Sequence, residues 1–173
     1  MPQNTYRISS SFVIPLAIDV VLLVALFILS LVFKGTGVER AVLALILLPA
    51  FFVLAEAVKR TITVSDTGLE IRKFFRTKAL AWQDITHIGY LRIRAKIYIL
   101  LTTTKGFYIV SNAYDRFPQL VRNVIDAIPS EAVEIEDEVR VQINQSGGQL
   151  SNIVAAWIAA TVLTGIIYLK LFS

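Results

Sequence analysis

Two carboxylates lie within otherwise apolar stretches of this chain. Because of this position, they are the residues whose chemistry is most suggestive of a function. Asp19 lies in the first apolar stretch and Glu56 lies near the end of the second. An ionisable side chain is costly in lipid, so it usually faces a partner, a cavity or water. The two carboxylates could share a proton or handle an ion. Alternatively they form a polar cluster with Lys59 and Arg60 that fixes helix register, which we favour because three helices provide no ion pathway unless copies assemble.

A second group of residues has the chemistry of an anion-binding surface. Between positions 59 and 122 the chain has twelve Lys and Arg residues against four Asp and Glu residues. The candidate lipid surface comprises Arg72, Lys73, Arg76, Lys78, Arg92, Arg94 and Lys96. Each cation near an anionic membrane surface contributes about 1 kcal/mol. Two interpretations stay open at this stage: an ordinary solvated cationic face, and a surface that contacts the anionic headgroups of membrane lipids. Because the chain has no recognisable nucleic-acid-binding motif, we expect no nucleic-acid partner.

The residue types needed for catalysis are scarce. The chain has no cysteine and one histidine, His87, which excludes disulfides, thiolate metal sites, thiol nucleophiles and a paired-histidine metal motif. The Gly-Thr-Gly at positions 35–37 lacks the preceding strand that a phosphate-binding loop requires. No nucleophile–base arrangement can be assembled from the remaining residues. We therefore predict a protein that is not an enzyme and that has no catalytic residues, cofactor or metal.

The elements that hold these residues follow from hydrophobicity. Of 173 residues, 55% are hydrophobic and 17% are charged, whereas soluble domains carry about 25% charged residues. Residues 12–33, 41–58 and 150–172 each have a length within the roughly 17–25 mostly apolar residues that a helix needs to cross a membrane. The connection at 34–40 is too short to hold a domain. The sequence therefore predicts three transmembrane helices, the first two forming a hairpin.

The placement of Lys and Arg predicts the orientation. Arg7, Lys59, Arg60 and the central cations lie on one side, and Lys34, Arg40 and Lys170 lie on the other. Loops rich in Lys and Arg stay in the cytoplasm. We expect a protein of the cell (inner) membrane, with the N-terminal tail (1–11) and the central module in the cytoplasm and the C-terminus outside.

The central module has the alternation and turn residues of β-strands. Residues 61–64 and 69–71 flank Ser65-Asp-Thr-Gly68 as a hairpin, and residues 78–82 form a further short strand. Residues 85–97 are predicted to be one long strand, with Ile85, His87, Leu91 and Ile93 on one face and Arg92, Arg94 and Lys96 on the other. Residues 98–103 and 107–110 form a second hairpin.

One amphipathic helix follows these strands. Residues 111–115 provide candidate capping side chains, and apolar residues recur at helical spacing at Phe117, Leu120, Val121, Val124 and Ile128. Pro118 suits the first turn, and Pro129 is expected to end the helix. The order is a run of antiparallel strands closed by one helix.

Three motifs carry a resemblance to a known family. They are Val64-Ser-Asp-Thr-Gly-Leu69, Ala81-Trp-Gln-Asp-Ile85 and Leu100-Leu-Thr-Thr-Thr-Lys-Gly106, with a helix beginning near Asp115. Residues 60–129 thereby resemble the bacterial pleckstrin-homology-like (PH-like) domains of small membrane proteins of unknown function. The resemblance implies an α+β membrane protein with a bent antiparallel sheet, or partly open barrel, capped by a C-terminal helix. The eukaryotic inositide pocket needs cations beside the first hairpin turn; Ser65–Gly68 has none, so inositide binding is not predicted.

Residues 130–149 form an acidic segment and a glycine-containing linker. The acidic residues are Glu131, Glu134, Glu136, Asp137 and Glu138. Their apolar neighbours fit strand alternation better than a helical stripe, but both structures stay open. The segment could also fold against the basic module and mask it from lipid.

These observations together predict an integral membrane protein whose cytoplasmic PH-like module mediates protein interaction or self-assembly. Exposed strands such as residues 97–101 could pair edge to edge between copies. The alternative is a small accessory subunit of a transport or ion-handling membrane complex that uses Asp19 and Glu56. The expected partners are membrane lipids and either a second copy or another membrane protein.

Overall fold

The computed structural model describes residues 4–33, 35–93, 96–104, 106–128, 133–142 and 150–172. In these residues the chain is an α+β protein with five α-helices and two four-stranded sheets. It divides into two compact units. The β-rich unit comprises the described parts of Met1–Ser9 and Lys59–Leu150, and the helical unit comprises Ser10–Val58 with the described part of Ser151–Ser173.

Three long helices form the helical unit: α1 (Ser10–Val32), α2 (Gly37–Lys59) and α5 (Leu150–Phe172). Each has 23 residues, which at 1.5 Å per residue gives roughly 35 Å. Over Ser10–Val32, Gly37–Lys59 and Ile153–Phe172 they are long and apolar enough to cross a membrane. The prediction of three long apolar helices is confirmed, although α1 begins two residues and α2 four residues earlier than expected.

The first sheet has the strand order β1-β2-β3-β4, with all neighbours antiparallel. Its strands are β1 (Asn4–Arg7), β2 (Thr61–Ser65), β3 (Gly68–Arg72) and β4 (Thr77–Ala81). The predicted hairpin about Ser65–Gly68 is confirmed. The predicted strand at 78–82 ends one residue early, because Trp82 begins a 3-10 turn in which its indole N–H donates to the Ser65 carbonyl at 3.0 Å.

Residues 4–7 are not a tail, because they form β1 and pair with β2 from Asn4 opposite Val64 to Arg7 opposite Thr61. Ser9 N–H donates to the Ala113 carbonyl at 2.9 Å, and Asp115 N–H donates to the Arg7 carbonyl at 2.8 Å. The strand is thus bonded on both sides by residues distant in sequence. A four-residue segment has too little alternation of its own to signal this pairing.

The second sheet has the order β7-β6-β5-β8. Its strands are β5 (Ile85–Ile93), β6 (Lys96–Thr103), β7 (Gly106–Ser111) and β8 (Glu134–Ile135), the last running parallel to β5. The single strand predicted for residues 85–97 is wrong, because Ile93 pairs with Lys96 across a tight hairpin. Arg92 and Lys96 therefore lie on neighbouring strands. Arg94 lies outside the described residues.

The prediction that Ile85, Leu91 and Ile93 lie on one face of β5 is also wrong. A register shift between Ile85 and His87 interrupts the alternation, and such a bulge exchanges the faces of all later residues. Ile88 consequently has no exposed surface, whereas Leu91 and Ile93 are 43% and 53% exposed. His87 is half-buried beside the β8 edge, with Nε2 at 3.7 Å from Glu136 Oε1.

Helix α3 (Phe117–Ala127) covers the second sheet with the apolar face predicted from the sequence. Leu120, Val121 and Val124 are buried and share a small cavity with Ile88 and Leu101. The predicted side-chain cap does not form, since the residue before the helix is Arg116, in the left-handed conformation at φ 51° and without a side-chain capping bond. The Asp115 carboxylate instead accepts the Arg116 N–H at 3.1 Å.

The described part of the acidic segment forms both structures that the sequence left open, β8 followed by α4 (Asp137–Gln142). Glu136 accepts the Tyr90 N–H at 2.7 Å, and Val139 is fully buried. This part of the segment is therefore bonded to the β5 side of the second sheet. The linker at 144–149 and Pro129 lie outside the described residues.

Candidate functional site

A groove of about 550 Å³ opens in the β-rich unit and is lined by cations, aromatic rings and hydroxyl groups. We call it the basic groove. Its cations are Arg60, Lys73, Arg76 and Lys78. None of the lining residues described by the structure is acidic. A concavity with four cations and no carboxylate favours an anionic ligand.

One wall of the basic groove is the turn between β3 and β4. Arg72 pairs with Thr77 at the ends of the two strands, and Lys73 N–H donates to the Arg76 carbonyl at 2.7 Å. This bond closes the turn with Lys73 and Arg76 at its two ends. Lys78 follows on β4, so three cations line the groove from one hairpin.

The opposite wall comes from β6 and β7. Tyr98 pairs with Ser111 across these strands, and both line the groove with Tyr108. The three hydroxyl groups can donate or accept hydrogen bonds. The same wall carries Phe107 and Ile109, which are 68% and 44% exposed. Basic and polar groups therefore lie beside apolar surface.

Arg60 joins the groove through a fixed contact. Its Nε donates to the Tyr114 hydroxyl at 2.9 Å, and its guanidinium carbon lies 5.7 Å from the centre of that ring. Lys59 makes a similar contact, with Nζ 4.6 Å from the centre of the Phe74 ring. Both cations thus have aromatic partners within the β-rich unit, which stabilise a charge over the ring face.

The tip of the β3–β4 turn is aromatic. The Phe74 and Phe75 rings meet edge to face at 4.3 Å, and Phe75 is 76% exposed. Sequence reasoning used Lys73 and Arg76 as charges and missed the two phenylalanines between them. Two adjacent aromatic residues flanked by cations in a turn would have been the signal.

The structure divides the predicted lipid surface into two parts. Lys73, Arg76 and Lys78 line the basic groove, and Arg72 lies at the adjoining end of β3. Arg92 and Lys96 belong to the β5–β6 hairpin and do not line it. The grouping thus depends on which strands form each hairpin.

The helix bounds place the two carboxylates of the helical unit at different distances from the α1–α2 connection. Asp19 is 8% exposed on α1, and Glu56 is half-buried on α2. Asp19 is thirteen residues from the end of α1 and Glu56 nineteen residues from the start of α2. In a hairpin the six-residue difference corresponds to roughly 9 Å along the helix axis. Such an offset disfavours a shared proton.

Asp19 has an unusual environment for a carboxylate. It lies on the buried stripe of α1 with Leu23 and Leu26. Its Oδ1 has no hydrogen-bond partner among the described residues. A buried carboxylate in this state carries a desolvation cost.

A polar contact that the sequence did not reveal lies elsewhere in the helical unit. Lys170 Nζ donates to Glu39 Oε1. Both residues line a second groove with Leu26, Leu43 and Ile166 between the three long helices. The pair joins α2 to α5 through a charge-assisted hydrogen bond.

Among the described residues no group of three or more His, Asp or Glu side chains could hold a metal ion. No protein-family model, curated protein or solved structure matches this chain.

Proposed function

We propose that this chain is a non-enzymatic multi-pass membrane protein whose PH-like module binds a second copy of itself, or another membrane protein, at the cytoplasmic membrane surface. Three helices of sufficient length and apolarity support the membrane placement. Strands β2 to β7, which pair antiparallel within each of the two sheets and are followed by an amphipathic helix, support the PH-like assignment. Strand β1 precedes the helical hairpin and the other strands follow it, so the two helices are inserted between adjacent strands of one sheet.

The observation that carries the interaction role is the edge of the second sheet. β7 is the last strand in the order β7-β6-β5-β8, and no described strand pairs with its other side. It presents Phe107 and Ile109 to solvent. An unpaired apolar edge is a template for a strand from another chain. The edge predicted from the sequence, residues 97–101, is wrong, because these residues belong to β6 between β5 and β7.

The edge of the first sheet provides a contrast. β4 is also an end strand, but it carries Lys78, and a lysine on an edge opposes pairing with another chain. β7 has no charged residue between Gly106 and Ser111. Pairing is therefore expected at β7.

The test is the mass of the full chain in mild detergent, together with capture of tagged protein from native membranes. We expect a defined oligomer or a stable complex, and we expect Ile109→Lys to abolish it by placing a charge on the β7 edge. Ile93→Lys is the matched control, because Ile93 is similarly exposed but lies at the β5–β6 hairpin. A monomer without partners, or equal effects of both variants, would contradict the proposal.

The environment of Asp19 favours a second candidate, an accessory subunit of a transport or ion-handling complex. An intramembrane carboxylate whose Oδ1 has no described partner can be satisfied by a residue of another subunit. Replacing Asp19 by Asn and Glu56 by Gln should then release the partner from the native complex. An unchanged complex would exclude this role.

A further inference from the structure

We propose that the basic groove binds the phosphate group of an anionic phospholipid while the Phe74–Phe75 turn enters the bilayer interface. The proposal rests on the membrane placement above but not on a protein partner. It assigns the groove a lipid ligand and the β-rich unit a second attachment to the membrane, besides its covalent connection to the helices.

The charge and size of the basic groove suit a phosphate group. Arg60, Lys73, Arg76 and Lys78 line it, and none of its described lining residues is acidic. A guanidinium matches a phosphate with two parallel hydrogen bonds, and a lysine ammonium acts as a point charge. Its volume of about 550 Å³ lies within the roughly 300–1,000 Å³ typical of small-ligand sites. The tyrosine and serine hydroxyls supply neutral groups for the other headgroup oxygens.

The strand register places the β3–β4 turn at one particular end of the first sheet. Arg7 pairs with Thr61, Thr61 with Arg72, and Arg72 with Thr77, so these residues form one row across the end of the first sheet. The chain continues from Arg7 into α1 at Ser10, and α2 ends at Lys59, two residues before Thr61. The β3–β4 turn follows Arg72. It is therefore at the end of the sheet where the chain enters α1 and where it returns from α2.

The composition of the β3–β4 turn suits a membrane interface. Phe75 is 76% exposed at its tip, beside Phe74, with Lys73 and Arg76 on either side. Aromatic residues flanked by cations bind an interface through burial of the ring and attraction to anionic lipid. Moving the exposed part of the Phe75 ring out of water and into the interface is favourable.

An acidic peptide is the competing ligand, and the chain contains an acidic segment of its own. Its described part is bonded at the other side of the second sheet from β7, where Glu134 pairs with His87 and Glu136 accepts the Tyr90 N–H. This part therefore does not mask the groove. The turn's exposed phenylalanine favours lipid over a peptide, because a peptide held by charge alone does not use it.

The first experiment titrates the detergent-solubilised full chain with phosphatidylglycerol or phosphatidylcholine and counts bound lipids by native mass spectrometry. We expect preferential binding of phosphatidylglycerol. Lys73→Gln, Arg76→Gln and Lys78→Gln combined should weaken it at least about tenfold, since each cation near an anionic surface contributes roughly fivefold. Inorganic phosphate and a glutamate-rich peptide serve as competitors.

The matched control removes three exposed cations outside the groove, Arg92, Lys96 and Arg122, by substitution with Gln. It should retain phosphatidylglycerol binding. Equal weakening by both triple variants would show diffuse attraction and overturn the groove assignment. Displacement of the lipid by the peptide at lower concentration than by phosphate would overturn the choice of a lipid ligand.

The second experiment tests the turn in lipid nanodiscs. Phe75→Trp in a Trp157→Phe background reports depth through quenching by lipids brominated in their acyl chains, since the remaining Trp82 is buried in the β-rich unit. We expect stronger quenching with phosphatidylglycerol present than with phosphatidylcholine alone. Val141→Trp, an exposed position on α4, should remain unquenched. Equal emission of the Phe75→Trp protein in both lipid mixtures would overturn the interfacial contact. A full chain that binds phosphatidylglycerol but is a monomer without partners would separately count against the protein-interaction role.

Discussion

Lys170, in the last turn of α5, donates to the carboxylate of Glu39, in the first turn of α2. Each charge opposes the partial charge of its own helix end, a cation at a C-terminus and an anion at an N-terminus. Glu39 N–H also donates to Thr36 Oγ1 at 3.1 Å. The pair thus fixes the end of α5 beside the start of α2.

Reversing the charges tests this contact. Glu39→Lys or Lys170→Glu alone should lower the thermal midpoint of the full chain in detergent, because two like charges then face each other. The double reversal should restore only part of the loss, since each new charge has the same sign as the partial charge of its helix end. Additive losses in this cycle would mean that the two residues do not interact.

Two glycines with positive φ should respond differently to substitution. Gly68 has φ +159°, and a Cβ there would collide with the Leu80 carbonyl oxygen; Gly106 has φ +135°, and a Cβ there meets no described atom within 4 Å. Gly106→Ala should cost only backbone strain, about 1–3 kcal/mol, and Gly68→Ala should cost more. Chemical denaturation measures both. A smaller loss of stability for Gly68→Ala than for Gly106→Ala would contradict the close approach of β4 to Gly68.

Tyr6 should make stability depend on alkaline pH. Its hydroxyl accepts a hydrogen bond from Asn123 Nδ2 at 2.6 Å. Burial raises the pKa of Tyr6 above its usual value, outweighing the lowering effects of Arg116 and of the Asn123 bond. A raised pKa in the folded state gives stability that is present below about pH 10 and is lost as pH rises through the folded value.

Tyr6→Phe should therefore destabilise the protein at pH 7 by about 1 kcal/mol through the lost hydrogen bond. The difference from the original protein should narrow well above pH 10. The free energies of unfolding of the two proteins, measured at pH 7 and well above pH 10, give this difference. A constant difference would show that Tyr6 does not titrate with unfolding.

Asp19 should reduce the stability of the helical unit. Asp19→Leu removes a buried carboxylate whose Oδ1 has no described hydrogen-bond partner, and should stabilise the isolated protein in detergent by about 1–3 kcal/mol. Val21→Leu, at an exposed position on the same helix, is the control and should have little effect. A lower thermal midpoint for Asp19→Leu would mean that the carboxylate has a stabilising partner.

Much of the local structure could be predicted because it depends on neighbouring residues. The lengths of the three apolar runs, the turn at Ser65–Gly68 and the buried face of α3 follow from spacing and residue type alone. These elements carry their own hydrophobic period, and tertiary packing preserves it. The alternation of β5 predicted the wrong faces for the residues after Ile85. The bulge there changes the face of Ile88, and the sequence has no clear local signal of it.

The residue pattern is enough to predict that apolar helices bracket a basic, β-rich module. Three features depend on contacts between distant segments: β1 joins that module, Lys73 and Tyr98 line one groove, and Glu39 meets Lys170. Glu39 and Lys170 are 131 positions apart. A local pattern reports how each segment buries its own apolar face, whereas these contacts depend on which distant segments pack together and bring their charges into reach.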